Sequence, residues 1–192
     1  MRVGLYGGIF DPIHNAHLLI AQFIKEDLKL DKVIFIPSGI PLHKKVFWPA
    51  DKRLKMVKTA VADNPFFEIS TLEIENVGVS YSVDTIQKLK AELKLPKEDL
   101  IWIVGSDNFV DFDKWKNPTR IFELCTVVVF PRTAGDYARA PEEFSSKAIY
   151  LKHAPIIEIS STQVRDRVAK GQSVKYFVPQ VIEGLVSSSH SA

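Results

Sequence analysis

Cysteine is nearly missing from this chain. One residue among 192, Cys125, carries a thiol, which excludes an intrachain disulfide and fits a reducing compartment. Long apolar runs are missing too: nothing approaches the roughly 20 residues of a membrane-spanning helix. Only a few apolar residues precede Gly7-Gly8 and Asp11, too few for a secretory leader. Nor does one sign of charge dominate, since 25 Lys+Arg stand against 23 Asp+Glu for a formal net charge of +2. That balance argues for neither nucleic acid nor a membrane surface as partner. Internal repeats and low-complexity blocks are absent. What remains is ordinary globular composition, 46% hydrophobic and 25% charged, over a length sufficient for one buried core. The expectation is a cytoplasmic protein with a single domain across residues 1–192, residues 187–192 forming a polar, disordered tail.

The organising stretch runs from Val3 to His17. A short apolar strand ends at Gly7-Gly8, where the missing Cβ atoms permit a turn and close ligand approach. Asp11-Pro12 reads as a tight turn and Asn15 as an N-cap, while Leu18, Leu19, Ile20, Phe23 and Ile24 supply a helical apolar face. His14 and His17 therefore fall on the first helical turn, three residues apart, beside unpaired N–H groups and the positive end of the dipole. Such a helix start is an anion site, and two imidazoles suit it to phosphate. Two other readings of the pair stay open. It could ligate a metal, although Zn²⁺ needs further ligands and Cys125 sits in an apolar strand, or both rings could be structural.

Downstream, strands and helices alternate. Lys32–Ile36 is a buried strand, and the loop Pro37–Lys45 after it carries His43 and Lys44 at a strand's carboxyl end, as a phosphate clamp or as solvated surface. Residues 51–62 form a helix with Leu54, Val57, Ala60 and Val61 on one face, followed by a strand over 66–74. Ser80 or Ser82 caps a helix whose face is Val83, Ile86, Leu89 and Leu93. Leu100–Val104 is the most strand-like run, and Gly105-Ser106-Asp107 after it places a carboxylate where it holds a ribose or caps the next turn. Phe109, Phe112 and Trp115 are core, or one of them stacks on a heteroaromatic ring. Further strands lie at Cys125–Phe130 and Ala148–Leu151, separated by an exposed polar connection over 133–146. In Ile159–Arg165, Ser161 or Thr162 caps a helix, and Arg165 on its first turn calls for an anionic partner or a surface carboxylate. Residues 179–186 form a terminal helix whose apolar surface could pair with a second copy. The fold class that follows is α/β, a Rossmann-like doubly wound parallel sheet.

Two segments carry a resemblance. Gly7-Gly8-Ile9-Phe10-Asp11-Pro12-Ile13-His14-Asn15-Ala16-His17 resembles the GGxFDPxHxGH signature of the nucleotidyltransferase superfamily. Ile159-Ser160-Ser161-Thr162-Gln163-Val164-Arg165 resembles its distal ISSTxxR motif. Between them, Pro41-Leu42-His43-Lys44, Ser80-Tyr81-Ser82 and Gly105-Ser106-Asp107 with Trp115 are similar to the internal motifs of bacterial nicotinate-nucleotide adenylyltransferases. Ala16 stands for the usual glycine and Leu42 for the usual second proline. The resemblance implies transfer of the adenylyl group of ATP, with Mg²⁺, to nicotinate mononucleotide. It implies catalytic roles for His14, His17 and Arg165, and ATP contacts from Gly7, Gly8, Phe10, Gly105, Asp107, Ser161 and Thr162 as well. For the acceptor it implies His43, Lys44, Ser82, Trp115, the backbone around Lys116, and Arg132. Alternatives are a same-fold enzyme acting on nicotinamide mononucleotide or phosphopantetheine, and a module that binds ATP without turnover.

Overall fold

In the computed structural model, which describes residues 1–41, 45–133 and 135–187, the apolar runs become strands of one sheet. They are β1 (Val3–Gly8), β2 (Lys32–Pro37), β3 (Phe67–Ile69), β4 (Leu100–Gly105), β5 (Thr126–Phe130) and β6 (Ile149–Tyr150). Their order is β3-β2-β1-β4-β5-β6 and every pairing is parallel. Helices α1 (Asn15–Asp27), α2 (Ala50–Val61), α3 (Leu72–Glu75), α4 (Ser82–Leu93), α5 (Ser106–Phe109), α6 (Pro118–Leu124), α7 (Glu142–Ser145), α8 (Ser161–Ala169) and α9 (Glu183–Ser187) complete the described chain, with short 3-10 turns between them.

Both sheet faces are buried, which is why the strands read as continuous apolar runs. The two-residue alternation still sorts their side chains. Tyr6, Val33, Phe35, Ile101, Ile103 and Val128 pack with α1, α2, α8 and the chain's end through Ile20, Met56, Val164 and Val186. Val3, Leu5, Ile34, Trp102 and Val129 face α4 and α6 through Val83, Ile86 and Ile121. Because β1 pairs with β2 on one side and β4 on the other, the winding reverses between β1 and β4. That reversal opens a crevice at their carboxyl ends.

Several expectations need correction. Gly7 and Gly8 do not form a turn but finish β1, and the left-handed residue is Phe10, with φ 48°. The glycines answer to packing: a Cβ on Gly7 would lie 2.7 Å from the Trp102 ring of the neighbouring strand, and one on Gly8 2.8 Å from the Phe10 ring. The strand expected over 66–74 stops at Ile69, and α3 follows it. In α2 the buried stripe is Arg53, Met56, Val57, Ala60 and Val61, with Leu54 only partly buried. The 133–146 connection is not simply exposed, because Phe144 enters the core and Tyr137 stacks on Tyr150 at 4.0 Å and donates to the Ser145 carbonyl. Near the end of the chain, Ile182 and Val186 are spent on the protein's own core while Val181 stays 64% exposed. Ser187 belongs to α9, and residues 188–192 lie outside the described residues.

Gly7→Ala should destabilise the protein by about 1–3 kcal/mol, the range for overpacking a core. Urea unfolding of the variant beside the native chain measures it, and an unchanged midpoint would refute the Trp102 contact as the reason for glycine.

Candidate active site

A cavity of about 620 Å³ occupies the crevice, within the usual range for small-molecule sites. Its lining unites Gly7, Gly8, Phe10, His14, His17, Ser82, Gly105, Asp107, Trp115, Arg132, Ser161, Thr162 and Arg165. These residues come from parts of the sequence up to about 150 positions apart. Lys116 does not line the cavity; its ammonium pairs with Asp84 at 2.8 Å and lies over the Tyr81 ring. His43 and Lys44 lie outside the described residues, while the adjacent Lys45 lines the cavity.

Two helix starts meet on one wall. The first helical residue of α1 is Asn15, and His14, not Asn15, occupies its N-cap. The His14 backbone N–H donates to Nδ1 of His17 at 3.2 Å, and the rings stack with centroids 3.6 Å apart. A neutral His17 that accepts at Nδ1 carries its proton on Nε2, as a donor. The second start is α8, capped by Ser160 and not by Ser161 or Thr162: the Ser160 hydroxyl accepts from the Gln163 N–H, and the Gln163 side chain accepts from the Ser160 N–H. That capping box releases the next hydroxyls for other work. Ser161 Oγ donates to the Pro12 carbonyl at 2.9 Å, tying α8 to the loop before α1. Thr162 Oγ1 accepts from Arg165 at 3.0 Å, leaving its own O–H to donate. Arg165 spends another donor on the Asp11 carbonyl at 2.7 Å and keeps the rest of its five. Neither Ser80 nor Ser82 caps α4, whose N-cap is Tyr81; Ser80 Oγ accepts from Asn76 instead.

Electrostatics reinforce the geometry. Burial, followed by the Arg132 charge, lowers the His14 pKa to about 3. Burial and the neighbouring His14 and Arg132 hold His17 well below the usual imidazole value. Both rings are therefore neutral at pH 7 and offer N–H dipoles rather than cations. Two buried polar atoms of residues that line the cavity, His14 Nδ1 and Trp102 Nε1, have no hydrogen-bond partner among the described residues. A buried group left so is costly.

Arg132 stands with the groups expected at the adenosine side. Its Nε lies 3.9 Å from Asp107, its N–H donates to Ser106 Oγ, and its guanidinium reaches the Ile157 and Ile159 carbonyls. Trp115, also in the lining, packs against Phe112, while Phe109 and Phe112 are fully buried core. Among the described residues no three His, Cys, Asp or Glu side chains converge as a metal cluster. The carboxylates of the lining are Asp11, Glu73 and Asp107. Asp11 receives the Phe47 and Trp48 N–H groups, and Glu73 receives Thr85. That donor set fits a cation carried in on phosphate oxygens better than a protein-built cage.

Two groups escaped the reading of the sequence. Arg53 is fully buried in α2, and its spacing to Met56, Val57 and Ala60 was the available signal, an arginine on the apolar stripe. Glu73 sits buried in α3, where burial raises its pKa.

The protein-family model described as Cytidylyltransferase-like matches residues 5–167. A "Probable nicotinate-nucleotide adenylyltransferase" of Dictyoglomus turgidum is 40% identical over 187 residues, covering 95% of this chain and 91% of its own. One of the same name from Citrifermentans bemidjiense is 38% identical over 205 residues, covering 95% and 94%. Among solved structures, the Plasmodium falciparum nicotinic acid mononucleotide adenylyltransferase complexed with NaAD superposes with a TM-score of 0.77. The overlap is 97% of this chain and 95% of that one at 16% identity, a likeness of fold.

Since the unfolded His14 side chain takes up a proton near pH 6.5 and the folded one near 3, the unfolded state binds more protons between those values. Stability should therefore fall as pH drops below about 6.5, with a slope approaching about 1.4 kcal/mol per pH unit for one histidine. Urea unfolding between pH 7 and 5 checks this. His14→Asn should flatten the decline by roughly one proton, and an identical slope in the variant would contradict a neutral buried His14.

Proposed function

The chain belongs to the cytidylyltransferase-like family and, within it, to the nicotinate-nucleotide adenylyltransferases, and from that membership we propose that the cavity transfers the adenylyl group of ATP to nicotinate mononucleotide, releasing pyrophosphate and forming deamido-NAD. The observation that carries this reading is the meeting of two helix N-termini at the carboxyl end of β1, one bearing two neutral imidazoles and the other Thr162 and Arg165.

A phosphate monoester is already a competent nucleophile at neutral pH, so the reaction needs no covalent intermediate and no general base. The work left to the protein is alignment of two polyanions and stabilisation of the charge that moves toward the leaving group. His14 and His17 face the phosphates as N–H donors. Being neutral, they stabilise developing negative charge without releasing a proton to it. Arg165, Thr162 and the unpaired first N–H groups of α8 hold the leaving pyrophosphate. Mg²⁺ would come with the ATP substrate rather than on a protein-built cage, and would neutralise part of the phosphate charge.

Gly105 and Asp107 hold the adenosine, with Arg132 beside them through its contact with Asp107. On the acceptor side Trp115 stacks on the pyridine ring and Ser82 with the N-terminal N–H groups of α4 takes its carboxylate. An amide in that position would turn an NH₂ toward donors, which sets the discrimination. Lys45, with His43 and Lys44 just before it in the sequence, serves the acceptor phosphate.

Pyrophosphate release from ATP and Mg²⁺ should be fastest with nicotinate mononucleotide when it is compared with nicotinamide mononucleotide and phosphopantetheine. Preference for another acceptor would discard the pocket at Ser82 and Trp115, and no release with any would favour an ATP-binding module. His17→Ala should lower kcat by at least about 10²-fold, the effect of losing one transition-state donor, without a matching loss of ATP affinity. Trp115→Ala should raise KM for the mononucleotide and leave KM for ATP nearly unchanged. Equal rises would make Trp115 a core residue only.

A further inference from the structure

Arg53 is a charge without a solvent-facing role: it is fully buried and its guanidinium is divided among three main-chain carbonyls. Nη1 donates to Ile9 at 2.6 Å, Nη2 to Gly39 at 2.8 Å and Nε to Trp48 at 3.1 Å. Ile9 belongs to the loop between β1 and α1, which carries the nucleotide-side residues. Gly39 and Trp48 are the two stems of the segment that carries Lys45 toward the acceptor side. One planar cation therefore ties both substrate loops to α2.

The same stems are fastened a second time. The Asp11 carboxylate accepts the Phe47 N–H at 2.7 Å and the Trp48 N–H at 2.9 Å, and the Asp11 carbonyl is held by Arg165. At the front stem, Ser38 N–H donates to the Gly8 carbonyl at 2.9 Å, and buried Glu73 accepts from Ser38 and from Thr85 of α4. A Cβ on Gly39 would collide with the Glu73 carbonyl oxygen, so the stem packs directly against the α3 backbone.

We infer that Arg53 is a positioning residue that couples the nucleotide loop to the acceptor loop, so that the acceptor phosphate is presented in line only while all three carbonyls are held. The inference rests on the adenylyl-transfer reading. Burying a guanidinium is costly unless its donors are satisfied. A lysine ammonium keeps the charge but, as a point donor on a flexible stem, cannot span three carbonyls in a planar fork. A guanidinium used only to fill the core would be indifferent to which substrate is bound.

Arg53→Lys in the full chain is the test, with Thr85→Val as a second variant that takes a hydrogen bond from Glu73 behind the front stem and leaves Arg53 untouched. Three readouts are taken: kcat and both KM values, the Kd of a non-hydrolysable ATP analogue, and the melting temperature with kinetics at least 10 °C below it. For Arg53→Lys the expected result is kcat at least about 10-fold lower, with KM for the mononucleotide raised about 10-fold. The Kd of the analogue alone should stay within about 2-fold of native. Thr85→Val should raise KM for the mononucleotide about 3-fold and leave KM for ATP unmoved. Native kinetics in folded Arg53→Lys, or equal weakening of both substrates, would overturn the coupling role. Should Arg53→Lys fail to fold, native kinetics in Thr85→Val overturn it. Native protein without turnover on nicotinate mononucleotide would overturn the functional reading and this inference together, whereas native turnover beside an indifferent variant overturns this inference alone.

Discussion

The structure depends on one short loop turning its carbonyls outward. Between β1 and α1, the Gly8 carbonyl accepts from Ser38, that of Ile9 from Arg53, that of Asp11 from Arg165 and that of Pro12 from Ser161. The four partners come from three segments: the residue after β2, α2, and α8. A backbone carbonyl must find a partner when it is buried, and here the obligation is met wholly by distant elements. Packing the loop and assembling the cavity are thus a single event.

Burial then sets the chemistry. An imidazole at an open helix start would titrate near neutrality and could carry a charge. Set under Tyr6 and Phe10 and beside Arg132, the histidine pair stays neutral, and its rings stack without repulsion. The positive charge of the wall is delegated to Arg165 and Arg132. Donor and charge are thereby separated.

Much of this architecture was legible in the sequence. The buried runs at Val3, Lys32, Leu100 and Thr126 announced themselves by length and β-branching, and the parallel doubly wound class follows from their alternation with helices. His14, His17, Asp107 and Arg165 stand at helix starts or strand ends, where local rules already place anion and sugar contacts. Less was readable where an interaction replaces a propensity. The apolar run at 66–74 has the composition of a strand, yet only Phe67–Ile69 pair with β2 and Leu72 to Ile74 belong to α3. The polar composition of 133–146 concealed Phe144, whose aromatic partners lie on α6 and near Trp115.

Sequence by itself determined the central strands and the longer helices, and where two helix N-termini would present hydroxyl and imidazole groups. These depend on periodicity and capping, which act within a few residues. Tertiary structure alone decided what those groups are. Gly7 is needed because Trp102 of another strand lies against it, Ser161, freed by the Ser160 cap, is spent on the Pro12 carbonyl, and the histidines are neutral because the fold buries them. Arg53 is the tie between two loops for the same reason: desolvation and long-range hydrogen bonding are set by distant neighbours.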